Sequence, residues 1–415
     1  MAESSTRREF LKTAAVGAAA LSVSGKSYAR VIGANDRISI GIIGCGSRGI
    51  DAHMAGINTH AKAQNVEITA VCDPWSVRRD MAAAKCKEWY NLDARKCVSY
   101  RDLLELDNID AVTIASCEHQ HTTHLKAVAE AKKDVYCEKP LGKDFDDLKK
   151  AVDAVKKNNV VCQVGTQLRS MASMTGAREL FKTGVLGKLS RVEQCRNGWR
   201  PYWYTYLKPA NKEDVDWDEF LMHLPKRPFD ANFFTGWYGY RETSDGTVPS
   251  FGAHYLDLMH YITGAEFPIS AVCLGDTYVW KDDYKFTCPD HVQATWKYPD
   301  FTVHYSTNFG NGAGNTFKIF GDRGHFDLQN WDKPMLVSEG LGPDKAAVKE
   351  ATVIDHIERP DHMLDWLQCI RSRQTPNASI DAGYQHSVAA IMAMKSYDTG
   401  HRMVYDKENR VIRKG

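Results

Sequence analysis

Hydrophobic residues fall into two regimes along the chain, with the change near residue 165. Before it, short unbroken apolar runs alternate with stretches of helical period. Residues 37–44, 66–72, 110–115, 134–137 and 160–164 read as buried strands. Residues 76–90, 121–132 and 145–158 read as helices between them, with a glycine turn and a further helix after the first strand. Strand and helix in alternation predict a doubly wound parallel sheet. Beyond residue 165 one helix is expected over 171–183. Strand-like runs then begin at Leu189, among them 271–279, 291–298, 302–308 and 316–320, parted by Gly, Asn, Asp and Pro. These predict an antiparallel sheet with helices on one face, followed by helices over 362–373 and 382–399.

The N-terminus follows neither regime. Thr6-Arg7-Arg8-Glu9-Phe10-Leu11-Lys12 is a twin-arginine export motif, an Ala-rich stretch runs from Thr13 to about Val23, and Ser27-Tyr28-Ala29 offers a small-x-small cleavage site. The expected organisation is therefore a leader over 1–29, a nucleotide-binding domain over 36–165 and a second α+β domain over 166–415 whose last helices pack back on the first. No other run of 18 apolar residues occurs, so no membrane span is expected.

Composition narrows the function classes. The 415 residues carry 53 basic and 52 acidic side chains, a balance without the basic excess of a nucleic-acid binder. The 11 Cys are scattered without C-x-x-C pairs and read as reduced, buried small hydrophobes. Many of the 10 Trp and 18 Tyr fall between residues 198 and 305, a composition suited to stacking flat sugar rings, although each aromatic taken singly reads as core.

Gly44-Cys45-Gly46-Ser47-Arg48-Gly49 is G-x-G-x-x-G. It follows a strand, opens a helix, and is completed by Asp73 at the end of the next strand, which is the context a dinucleotide cradle requires. Glycines let the backbone approach a pyrophosphate, and the helix N-terminus supplies unpaired N–H groups and positive dipole charge. A carboxylate at Asp73 accepts bonds from ribose hydroxyls and repels a 2′-phosphate. NAD is thereby favoured over NADP, with Arg78 and Arg79 as the counter-signal.

Cys137-Glu138-Lys139-Pro140 after a strand completes a set that resembles the glucose–fructose oxidoreductase / inositol dehydrogenase (Gfo/Idh/MocA) family. Val215-Asp216-Trp217-Asp218, Gly252-Ala253-His254-Tyr255-Leu256-Asp257 and Gly321-Asp322-Arg323-Gly324 extend the likeness over nearly all of the chain after the leader. The resemblance implies a Rossmann domain plus a C-terminal α/β domain with a large, open, mostly antiparallel sheet, an active site between them, and a homo-oligomer (dimer or tetramer). It implies that Gly44, Gly46, Ser47, Arg48, Gly49, Asp73, Ser116, Glu118, His121, Glu138, Lys139 and Gln167 hold the cofactor. Lys139 and His254 become the catalytic candidates. An ammonium beside a reacting carbinol stabilises developing alkoxide, and a histidine can take the hydroxyl proton as hydride leaves. Arg169, Trp237, Tyr238, Arg241, Ser250 and Asp257 are expected at a carbohydrate substrate, with Trp199, Tyr202 and Trp203 as further pocket candidates. His119, His121 and His124 offer a His-x-His pair, but they fall in the cofactor-lining loop and the helix after it, and no metal is expected.

One position departs from the family pattern. Pro249-Ser250-Phe251-Gly252-Ala253-His254 carries Ser250 where family oxidoreductases often read Asp in D-x-G-x-H. This stretch is similar to that of the NAD-dependent glycosidase branch, whose members commonly lack the lysine kept here as Lys139. Three readings follow: a sugar or glycoside oxidoreductase with tightly bound NAD, a redox-neutral glycosidase or lyase, and a non-catalytic sugar-binding protein. The leader adds a constraint. A periplasmic enzyme has no free nicotinamide pool to draw on, so its cofactor is expected to stay bound and be recycled in place.

Overall fold

The structure is a computed structural model that describes residues 37–338 and 340–415, so the leader over 1–29 lies outside the described residues. The first sheet has six strands: β1 (Ile38–Ile43), β2 (Val66–Cys72), β3 (Arg95–Cys97), β4 (Ala111–Ile114), β5 (Asp134–Cys137) and β6 (Cys162–Val164). They pair in the order β3-β2-β1-β4-β5-β6, all parallel. The unbroken apolar runs have their cause here: helices cover both faces, so Ile38, Ile40 and Ile42 on one side of β1 and Ile43 on the other are all buried. The order reverses between β1 and β4, and the carboxyl ends of those strands face the cleft described below, as expected at a switch point. Helices Ser76–Tyr90 and Phe145–Asn158 have the limits their periodicity predicts. The helix after the glycine turn differs: it begins as a π-helical segment, Arg48–Met54, before Ala55–Gln64 continues as α-helix.

The second sheet has ten strands: β7 (Leu189–Asn197), β8 (Ser270–Asp276), β9 (His291–Lys297), β10 (Thr302–Asn308), β11 (Thr316–Gly321), β12 (His325–Asp327), β13 (Met335–Val337), β14 (Thr352–Val353), β15 (Met403–Asp406) and β16 (Val411–Lys414), in the order β14-β13-β12-β11-β7-β10-β9-β8-β15-β16. Pairing is antiparallel except between β7 and β10. That exception has a reason in the chain path. Roughly a hundred residues separate the two strands, and so long a crossover permits parallel pairing, which no tight hairpin could. Burial alternates along β9 and β10, with one face on the helices and the other open.

The last helices bind the halves together. Ile380–Thr399 packs against β8 and also against β6 of the first sheet. His362–Ser372 places Met363, Trp366, Leu367 and Ile370 in the same core as Ile38, Ile40 and Ile57. Trp366 is fully buried and meets the ring of Tyr136 edge-on at 5.8 Å. A helix late in the chain thus completes the core of the nucleotide-binding half. Trp366→Ala is expected to remove about 3–5 kcal/mol of stability, read as an earlier midpoint in denaturant unfolding followed through loss of the first sheet.

Candidate active site

The glycine turn after β1 has three distinct steric requirements. Gly44 has φ +91°, and a Cβ there would lie 2.5 Å from the Ala115 carbonyl carbon. A Cβ on Gly49 would lie 2.0 Å from the Gly44 oxygen, so that glycine lets helix and strand pack together. A Cβ on Gly46 would meet nothing within 4 Å. Gly46 therefore faces open space at the start of the helix, the vacancy a pyrophosphate requires. Ser47 makes no capping bond, which leaves its hydroxyl available to a ligand. At the end of β2, Asp73 accepts from the backbone of Cys45 at 2.6 Å and of Trp75 at 2.8 Å. Burial pushes its pKa up, and these two N–H groups pull it back. Each of its oxygens keeps a lone pair for a ribose hydroxyl. Arg79 donates to the Asp73 carbonyl and is turned into the loop, whereas Arg78 lines the cleft beside Trp75. These residues fit a dinucleotide.

The end of β5 carries the chemistry. Glu138 is buried, and its Oε1 accepts from Arg48 Nε at 2.5 Å and lies 3.0 Å from His53 Nε2. Burial opposes ionisation, but the guanidinium and the imidazole hold the carboxyl well below the usual range. Gln167 accepts from Arg48 Nη2 at 3.2 Å and so braces the arginine. Lys139, whose bond to Pro140 is cis, lines the cleft and donates from Nζ to the Ser250 carbonyl at 2.7 Å. Burial lowers its pKa, with Glu138 and Glu118 opposing. His254 faces the same cleft with Nδ1 unpartnered, its pKa lowered to about 3 by burial and then by the Lys139 charge. Glu118, in the turn Glu118–Gln120 after β4, accepts from Ser244 Oγ through Oε2 at 2.8 Å.

The second domain closes over the cofactor half of the cleft. Val215 forms a bridge with Trp75, Asp216 N donates to the Pro74 carbonyl at 2.9 Å, and Ser99 Oγ donates to Glu219 at 2.9 Å. The cleft has a cavity volume of about 370 Å³ and runs from Asp73 and Trp75, past Gly46 and Ser116, to Lys139 and His254.

Several expected substrate contacts lie elsewhere. Arg169 and Asp257 are buried and face one another, with Nε and Nη2 at 2.9 and 2.8 Å from the carboxylate and His386 at 3.4 Å. A buried guanidinium needs a counter-charge, and Asp257 is the carboxylate it meets. Arg241 is held by Asp245 at 3.2 Å and Asp398 at 2.9 Å, in a separate depression. Ser250 is buried behind the cleft wall, where its hydroxyl accepts from Tyr202 at 2.8 Å and its carbonyl holds Lys139. Trp203 is core and Trp199 is 74% exposed outside the cleft. Trp237 and Tyr238 do line the cleft, stacked at 3.7 Å between centroids. The three histidines already have protein partners: His119 Nε2 with the Phe220 carbonyl, His124 Nδ1 with Ser116, and His121 with the Pro140 and Ser116 carbonyls. All 11 cysteines are unpaired and nine are buried. Sequence reading missed Trp75, Tyr206, Lys208, Glu219 and Phe234 on the cleft wall, and His53 beneath it. Trp75 had a signal, standing two residues after Asp73; the others come from irregular segments or from helical segments of only a few residues.

Two family models match the chain: an oxidoreductase family, NAD-binding Rossmann fold, over residues 38–166, and an oxidoreductase family, C-terminal alpha/beta domain, over 178–405. Among curated proteins it is similar to 2,7-anhydro-N-acetylneuraminate hydratase of Escherichia coli, 29% identical over 39% of this chain and 40% of that one. It is also similar to inositol 2-dehydrogenase of Salmonella typhimurium, 28% identical over 36% and 43%. The chain spans about two fifths of the length of the curated relatives it matches first. Among solved structures, the WlbA dehydrogenase from Bordetella pertussis in complex with NADH and UDP-GlcNAcA shares the fold at TM-score 0.66. That match is 19% identical and covers 89% of this chain and 99% of that one.

The Arg169–Asp257 pair gives a direct test of its structural role. Asp257→Asn strands a buried guanidinium and is expected to cost about 3–5 kcal/mol, while the KM of folded enzyme for its substrate stays unchanged. Asp257's pKa is lowered in the fold by Arg169 and His386, against the opposing effect of burial. Its contribution is therefore present above the unfolded carboxylate value of about 3.9 and lost as pH falls through the folded value. Acid unfolding followed by circular dichroism should show wild type and variant converging in strong acid.

Proposed function

The chain belongs to the Gfo/Idh/MocA oxidoreductase family, and on that premise we propose that it oxidises a secondary hydroxyl of a sugar or glycoside, with NAD held tightly as hydride acceptor. The observation that carries this reading is Lys139, an ammonium lining the same cleft as the glycine cradle and the stacked pair Trp237–Tyr238 and donating there to the Ser250 carbonyl. When bound, the nicotinamide ring would accept and return a hydride. The protein's own groups do the rest. Gly46, Ser47 and the helix start receive the pyrophosphate, and Asp73 receives ribose hydroxyls, which favours NAD over its 2′-phosphorylated form. Arg48 and His53 hold Glu138 and with it the position of Lys139. The ammonium donates to the alcohol oxygen and stabilises negative charge as it develops. Trp237 and Tyr238 offer an apolar face to a pyranose ring.

Two features support a captive cofactor. The second domain covers the adenosine half of the cleft, and the leader, read as twin-arginine, would export the protein folded and already loaded. A second reading, in which hydride is removed and then returned to the same substrate, is favoured by Ser250. That residue puts no carboxylate beside His254, so the histidine itself has less support as a proton acceptor. A related hydratase carries the same likeness to this chain.

Denaturing the purified protein should release close to one equivalent of nicotinamide; its absence would sink the captive-cofactor reading. On a panel of sugars and aryl glycosides, a lasting rise in reduced-nicotinamide absorbance supports net oxidation. Aglycone release without that rise supports the redox-neutral cycle. Sugar binding with neither supports a non-catalytic binder. Lys139→Met is expected to keep the cofactor and lower single-turnover hydride transfer by about 10²–10³, measured by stopped-flow absorbance.

A further inference from the structure

Four carboxylates line the cleft, and three are committed. Asp73 takes two backbone N–H groups, Glu138 takes Arg48 and His53, and Glu219 takes Ser99 and Arg101. Glu118 is different. It is 2% exposed, Oε2 is bonded to Ser244, and Oε1 is buried without a partner. An orphaned buried oxygen is costly in a folded protein and marks a group poised to gain a bond. Ser250 stands beside both Glu118 and Lys139: its carbonyl takes the lysine Nζ at 2.7 Å, and its hydroxyl receives Tyr202 and helps to lower the Glu118 pKa without bonding to Oε1. No direct ion pair joins the two, yet their charges act on one another, and the lysine's four-carbon stem is flexible enough to turn from one oxygen to the other.

The protonation states complete the argument. His254 is neutral and, with its pKa near 3, a weak base at neutral pH. Burial raises Glu118 to about 7, against Lys139, the Ser244 and Ser250 hydroxyls, and Lys143. Tyr202 and Tyr238 also face it, from the second domain, and both are themselves held neutral by burial. A group that titrates near the working pH is the one suited to trade protons.

We propose that Glu118 is the proton acceptor behind Lys139, so that the acid–base unit of this site is Lys139–Glu118 and not Lys139–His254. This rests on the hydride-transfer reading above. In the oxidative direction the carbinol C–H bond breaks and its electron pair leaves with the hydride to NAD⁺. The O–H bond breaks and its pair becomes the second bond of the carbonyl. Lys139 takes the hydroxyl proton as one of its own passes to Oε1 of Glu118, so the lysine ends as it began and the carboxyl carries the proton. Reduction runs the same relay backwards. Glu118 acts through the lysine and is a positioning residue for the proton, not a group that touches substrate.

The test uses the full protein with its bound cofactor. Single-turnover reduction by a sugar should rise with pH through an ionisation near 7 in the wild type. Glu118→Gln should lose that limb and run about a hundredfold slower per bound cofactor, with sugar affinity by calorimetry unchanged. Glu118→Asp should keep the limb at a lower rate. Infrared difference spectra of the resting protein supply a readout independent of turnover: a buried carboxyl band that titrates near neutrality should be present in the wild type and missing from Glu118→Gln. Absence of that band from the wild type, or its persistence in Glu118→Gln, overturns the proposal whatever the rates. A pH limb that survives Glu118→Gln, or that vanishes in His254→Asn alone, overturns it while leaving hydride transfer intact. A wild type whose bound cofactor is reduced by none of the sugars overturns the reading beneath it and the proposal together.

Discussion

The site depends on the charge of Glu138. One buried carboxylate oxygen gathers the Arg48 guanidinium from the start of the cradle helix and the imidazole of His53 one turn further on, while the other oxygen accepts from the backbone N–H of Lys139 at 3.2 Å. The same residue thereby fixes where the phosphates would lie and where the lysine would act. An ion pair of this kind is poor evidence for stability, because desolvating both partners costs as much as their attraction returns. Its worth lies in registry. Two loops from different strands are held at one spacing, and Gln167 limits the freedom of the arginine.

The second domain contributes in two separable ways. The helix Gly252–Thr263 and the turn before it present His254 and the Ser250 carbonyl to the lysine. The irregular segment around Lys208, Val215 and Glu219 reaches past the chemistry to roof the far end of the groove. A cofactor under that roof leaves only if the two halves part. The helix His362–Ser372 resists parting, since its apolar face belongs to the core of the first half.

How much of this was legible in the sequence follows from the range of the interactions involved. The glycine turn, Asp73 and the strand–helix alternation were readable because each is local: a steric demand, a short spacing or a period. Helices 76–90 and 145–158 were readable for the same reason. Strands β12, β13 and β14 are two or three residues long, too short to show a period of two. The misplaced substrate contacts share one cause. Arg169 and Asp257 stand at family-motif positions, but a charged side chain goes to the opposite charge it can reach, and each is the other's partner across 88 residues of sequence; Arg241, expected with the aromatics of the pocket, meets Asp245 and, 157 residues away, Asp398. The role argued for Glu118 was hidden likewise, because its environment is assembled from residues near 139, 202, 244 and 250.

The cysteines carry a consequence of another kind. Nine of the eleven thiols are sealed in the interior, and burial suppresses the thiolate through which sulfur attacks sulfur. Once folded, the chain offers an oxidant little to react with. Unfolded, it would offer eleven partners and no native pairing to select among them. Its safety in an oxidising compartment would therefore depend on the order of events: the fold must be finished before the sulfurs meet the oxidant.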